Sequence, residues 1–228
     1  MSETKIYPYE PPRQLATNLW QIRGSLAVPV PRNMTIYRVP DGRLVLYSVV
    51  AMHEPDMRAL EALGEPAFMV MPHVRHQMDA PFYKSRYPRL RVLAPDPSRV
   101  NGVIVDGSLA ELEQYGIRAY EIPGSTAHDV VLELPITDGV AVSVCELLTH
   151  MEGVHGVMAL LMKAFGPPGG EFGVARAVRW REVDDRAAVR AWMREVSERE
   201  DLKMVLMGHG EPLMRDARAQ LRHAAQQA

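Results

Sequence analysis

In this chain of 228 residues, three histidines and one glutamate stand at points where a short apolar run gives way to a polar turn. The last of them, His209, lies in Val205-Leu206-Met207-Gly208-His209-Gly210-Glu211-Pro212, an apolar stretch that stops at Gly-His-Gly. An imidazole held between small neighbours at the end of a buried strand is well placed to act as a ligand or a catalyst. A single turn of this kind can equally well do nothing but reverse the chain. What sets this one apart is repetition. Three earlier stretches end in the same manner, at Pro72-His73-Val74-Arg75-His76, at Pro123-Gly124-Ser125-Thr126-Ala127-His128 and at Cys145-Glu146.

The elements that must position these groups are read from periodicity and turn chemistry. Asn18 to Arg23, Met34 to Val39 and Leu44 to Val50 read as strands, the last two joined by the hairpin turn Pro40-Asp41-Gly42. Glu54 to Leu63 reads as a helix, with Pro55 in its first turn, Met57, Leu60 and Leu63 on one face and Gly64 after its end. Ala67 to Met71 is a continuous apolar run of the kind found in a strand buried on both faces. A helix over Asp79 to Arg86 and strands over Leu90 to Leu93 and Ala119 to Ile122 follow. Val130 to Leu134 and Val140 to Val144 form a hairpin around Thr137-Asp138-Gly139. Beyond Glu146, Leu147 to Phe165 is expected to be mostly helical. Asp184 to Ser197 is a helix with Val189, Trp192 and Val196 on one face. Leu202 to Met207 is the last strand, and Pro212 is expected to open a final helix reaching Ala224. Each half starts rich in strands and finishes helical. That order suits two sheets packed face to face with helices outside, in one domain over residues 1–228, preceded by an extended segment over 1–13.

Composition narrows the function classes. A hydrophobic content of 47% with 24% charged residues is that of a globular chain with a real core. The net charge of -2 argues for neither nucleic acid nor a membrane as partner. The single cysteine, Cys145, allows no disulfide frame and fits a reducing cytoplasm. Residues 1–13 are polar and proline-rich, without the apolar centre of a signal peptide, and no apolar run is long enough for a bilayer. Fourteen methionines suit adaptable core packing, and an oligomer face would use them equally well.

In this order the turns resemble those of the metallo-β-lactamase-fold hydrolases, from about Asn18 to Leu221, and most of all a branch whose metal motifs are eroded. Arg38 to Leu46 resembles the family's opening hairpin. Met71-Pro72-His73-Val74-Arg75-His76 occupies the place of its His-x-His-x-Asp-His motif, with Met71 for the first histidine and Arg75 for the aspartate. A shifted register, with His73 first in the motif and His76 unmatched, is the alternative. Ile122-Pro123-Gly124-Ser125-Thr126 is similar to the Pro-Gly-His-Thr turn, with Ser125 for the histidine. Val144-Cys145-Glu146-Leu147-Leu148 is similar to the Gly-Asp-x-Leu turn, with Glu146 for the bridging aspartate, and Met207-Gly208-His209-Gly210 matches the late Gly-His-Gly turn.

The resemblance implies a four-layer αββα sandwich of mixed α/β class and a hydrolase with at most one metal. Thioether and hydroxyl are poor zinc ligands beside imidazole, and a guanidinium at the aspartate position repels a cation. His73, His76, His209 and Glu146 remain, a nitrogen-and-oxygen set suited to one divalent ion, zinc first, with iron or manganese as alternatives. Glu146 would bind the metal or orient its water. Arg75 would hold an anionic group of a small-molecule substrate, or fill the vacant charge beside Glu146. The competing reading is a metal-free pseudoenzyme that binds a small anion or a protein partner. A redox role of the flavodiiron type lacks its further ligands. Asp79 reads as a helix cap, His53 as a cap neighbour, His128 as a surface turn and His223 as solvated, with His150 and His155 on or near a helix.

Overall fold

The computed structural model describes residues 4–26, 31–126, 128–152, 156–168 and 172–228. The chain folds as two compact units, Met1–Ala119 and Tyr120–Ala228.

The first unit is built on a six-stranded sheet in sequence order, from β1 (Arg13–Ala16) and β2 (Leu19–Gly24) through β3 (Arg32–Arg38) and β4 (Arg43–Tyr47) to β5 (Glu65–Val70) and β6 (Arg91–Leu93). The first four strands form an antiparallel meander, while β4, β5 and β6 run parallel. Parallel neighbours need crossover connections. Helices α1 (Glu54–Leu63) and α2 (Ala80–Arg86) supply them. Helix α1 has the limits that Pro55 and Gly64 predict, and it buries Met57 and Leu60. As its unbroken apolar run requires, β5 buries Phe68, Met69 and Val70 between two neighbours. The core of this unit joins Ile22, Met34, Ile36, Leu46, Met69 and Tyr83. Much of it is methionine, in keeping with the adaptable packing expected.

The second unit carries a five-stranded sheet. β7 (Arg118–Glu121), β8 (Val130–Ile136), β9 (Gly139–His150) and β10 (Phe172–Val174) are linked in the order β10-β9-β8-β7, and β11 (Leu202–Gly210) pairs with β9 in parallel. Helices α3 (Gly156–Phe165), α4 (Arg176–Glu182), α5 (Arg186–Glu198) and α6 (Ala217–Gln227) complete it. Helix α5 starts where the Asp185 carboxylate accepts the amides of Ala187 and Ala188, both at 2.9 Å. It then buries Val189, Trp192, Met193 and Val196 at helical spacing.

Three expectations are corrected here. The residues after Glu146 do not enter a helix: β9 runs on to His150 because Leu148, Thr149 and His150 pair with Val174, Gly173 and Phe172 of β10. Gly-His-Gly is not a turn but the end of β11, with His209 opposite Thr149 and Gly210 opposite His150. Nor does Pro212 open the last helix. Leu213 folds back to exchange backbone hydrogen bonds with Val205 at 2.8 and 3.1 Å, and α6 begins at Ala217. Among the described residues no helix is long and apolar enough to cross a membrane.

Candidate metal centre

In the second unit the relevant geometry follows from a mismatch between two parallel strands. From the Met207–Val144 pair to the His209–Thr149 pair, β11 advances by two residues and β9 by five. Four residues of β9, Cys145 to Leu148, therefore stand opposite Gly208 alone. A bulge of this kind re-aims side chains, and here it carries Glu146 to His209. The Glu146 carboxylate lies 3.3 Å from His209 Nε2, and both groups are buried. The two glycines make the crowding tolerable. A Cβ on Gly208 would stand 2.5 Å from the Cys145 carbonyl oxygen, and one on Gly210 would stand 1.8 Å from that of His150. Gly210 also has a φ of 93°, open to glycine and strained for other residues. The flanking glycines of the motif thus serve the close approach of two backbones.

The bulge itself is held by Asp129, which is 1% exposed and was not apparent as a site residue in the sequence. Its Oδ1 accepts the amide of Cys145 at 3.0 Å, and its Oδ2 accepts those of Glu146 at 2.8 Å and Leu147 at 2.6 Å.

In the first unit, His73 and His76 leave β5 on one tight turn, closed by the His76 amide donating to the His73 carbonyl at 3.0 Å. Both rings are buried, with centroids 6.3 Å apart and planes at 85°. The amide of Arg75 donates to His73 Nδ1 at 3.1 Å. His76 Nδ1 lies 2.8 Å from the Ser48 hydroxyl, so this ring is oriented from the segment that follows β4. Ser48 is a second residue that sequence reasoning missed. Val74 and Arg75 are exposed on the same turn. Asp79 sits at the N-cap position of α2 but makes no capping bond. Its carboxylate pairs instead with buried Arg32 and accepts the Ala51 amide at 2.9 Å.

The remaining candidates have other occupations. His128 pairs with Glu121 on the surface side of β7. His150, at the end of β9, faces the Glu211 carbonyl at 3.1 Å and the Glu152 carboxylate at 2.9 Å. His223 meets Gln227 on α6. His53 is the N-cap residue of α1. Cys145 is buried and forms no disulfide. His155 lies outside the described residues.

No family model matches the sequence, and no curated protein matches it. Solved structures do match the fold. A metallo-β-lactamase from Pontibacter korlensis aligns over 97% of this chain and 100% of its own, with a TM-score of 0.60 and 13% identity. An NDM/FIM-1-like metallo-β-lactamase from Erythrobacter litoralis, in a mono-zinc form, aligns over 100% of both chains with a TM-score of 0.59 and 16% identity. FIM-1 from Pseudomonas aeruginosa, also in a mono-zinc form, aligns over 95% of this chain and 96% of its own with a TM-score of 0.61 and 14% identity. Two sheets with their helices, in this element order, have the metallo-β-lactamase fold.

Proposed function

Taking that fold as the premise, we propose that the protein is a divergent metal-dependent hydrolase that holds a single divalent ion, zinc first, with His209 and Glu146 of the second unit as ligands and His76 and His73 of the first unit completing the set by their place in the motif order. The observation that carries this reading is the buried approach of Glu146 to His209 at 3.3 Å. A carboxylate and an imidazole brought together out of water are either an ion pair or parts of a ligand set. Two imidazoles and a carboxylate match what zinc takes in catalytic sites, where a further position is left to water. Two of the similar structures are mono-zinc forms, which supports zinc as the ion.

When bound, such an ion would lower the pKa of its water toward neutrality and polarise a substrate carbonyl or phosphoryl oxygen. The chain's own residues do the rest. Ser48 engages Nδ1 of His76, which leaves Nε2 as the nitrogen suited to ligation and fixes the ring plane. Glu146 sets the orientation of His209 and offers an oxygen for the ion or for its water. Exposed Arg75 is a permanent cation that could take a carboxylate or phosphate of a small anionic substrate in bidentate fashion. The substrate classes that fit are esters, thioesters, amides and phosphodiesters.

The test is elemental analysis of untagged protein after brief zinc reconstitution, beside the His76→Ala/His209→Ala variant. One zinc per wild-type chain, absent from the variant, is expected. No metal in either protein would sink the hydrolase reading in favour of a metal-free protein that binds an anion or a partner through Arg75.

A further inference from the structure

Building on the metal reading, we propose that Asp129 is the positioning residue of this site: its carboxylate anchors the Cys145–Leu147 bulge and thereby places Glu146 against His209. The argument starts from an accounting of amides. Residues Cys145 to Leu148 stand opposite Gly208 alone in β11, so the regular ladder is interrupted there. Buried amides need acceptors, and leaving one unmet is costly. Asp129 collects three consecutive amides, those of Cys145, Glu146 and Leu147, at 3.0, 2.8 and 2.6 Å. An ionised carboxylate only accepts hydrogen bonds and has room for all three. It is 1% exposed, so water does not compete for them. The middle amide belongs to Glu146 itself. Its backbone is therefore clamped on both sides, and the side chain starts from a fixed point facing His209. Groups that orient ligands in this way commonly change metal affinity by about 10–100-fold when altered.

Asparagine at this position has the same shape but cannot satisfy the same amides. With its NH2 group toward Cys145 it loses one acceptor, and with the NH2 toward Glu146 and Leu147 it loses two. Asp129→Asn is thus the smallest change that loosens the bulge.

The experiment has two arms. In metal-free protein, amide hydrogen exchange at Cys145, Glu146 and Leu147 is compared between the wild type and Asp129→Asn. The three amides should be protected in the wild type. Their exchange should quicken about tenfold or more in the variant, while the Leu132–Ser143 pairing of β8 with β9 stays protected. In the second arm cobalt is titrated and its visible bands recorded. The variant should bind about 10–100-fold more weakly, with altered bands. Unprotected wild-type amides overturn the proposal even if the variant does not fold. Quickened exchange with unchanged cobalt affinity and bands overturns the positioning role. A wild type that takes no cobalt sinks the metal reading instead, and the exchange arm alone then decides whether Asp129 anchors Glu146.

Discussion

The hydroxyl of Ser48 sits 2.8 Å from Nδ1 of His76, and the two residues are 28 positions apart in the chain. The contact fixes which ring nitrogen is engaged by protein, the usual duty of a residue behind a metal-binding histidine. Ser48→Ala should weaken zinc binding about tenfold or more and cost about 1 kcal/mol of stability, the typical net worth of a hydrogen bond. Competition against a chromophoric chelator reads the first, and urea unfolding the second. Unchanged zinc affinity would remove Ser48 from the site.

Arg75 stands where the resembling motif carries an aspartate. Replacing it with Asp turns a cation into a ligand-type group on an exposed turn beside two buried histidines. Arg75→Asp should tighten cobalt binding about tenfold or more, the reverse of losing one such group. A weaker or unchanged affinity, with the fold intact by circular dichroism, would count against the ligand set proposed.

Gly208 and Gly210 predict two different failures. Gly208→Ala brings a methyl within 2.5 Å of the Cys145 carbonyl, so the bulge must move and Glu146 moves with it. Gly210→Ala adds a positive-φ penalty of about 1–3 kcal/mol to a 1.8 Å clash with the His150 carbonyl. In denaturant unfolding Gly210→Ala should be the less stable of the two. A Gly210→Ala protein as stable as the wild type would contradict the strand-end conformation.

Arg32 and Asp79 form a buried pair in the first unit, 3% and 5% exposed as residues. Removing one partner strands the other's charge. Asp79→Asn should therefore cost about 3–5 kcal/mol, the range for broken buried pairs. A loss under about 1 kcal/mol in urea unfolding would show that the pair is open to water.

Acid should act on the second unit through Asp201. The Arg199 guanidinium donates to both its oxygens, at 3.0 and 2.9 Å, and holds this carboxyl below the usual carboxylate range. A depressed folded pKa gives stability that is present above about pH 4 and is lost as pH falls through the folded value. The midpoint of urea unfolding should drop more between pH 5 and pH 2.5 for the wild type than for Asp201→Asn. Because the pair is half exposed, 0.5 M salt should shrink the difference. Equal acid sensitivity in both proteins would rule the pair out.

The parts of the fold set by local signals were legible in the sequence. Pro55, Gly64 and the spacing of Met57 and Leu60 define α1 without help from the rest of the chain. The apolar run of β5 and the amphipathic face of α5 are equally self-contained. What failed depends on distant partners. β9 continues past Glu146 because β10, a strand of three residues, lies beside it, and so short a strand leaves no periodicity to read. His209 and Glu146 were legible because each ends an apolar run. Ser48 and Asp129 were not. One resembles any serine after a strand and the other any aspartate in a turn, and only the fold buries them at 1% exposure each.

The bulge of β9 has a bearing on which changes this chain can absorb over time. Side chains alternate along a strand, so the count of residues between Val144 and Thr149 sets which way Glu146 points. Replacement of a residue there keeps the count. Deletion of one between Cys145 and Leu148 would shift which amides face Asp129 and swing the carboxylate away from His209, while both flanking ladders could still close. In this segment length, more than identity, is what descent must preserve.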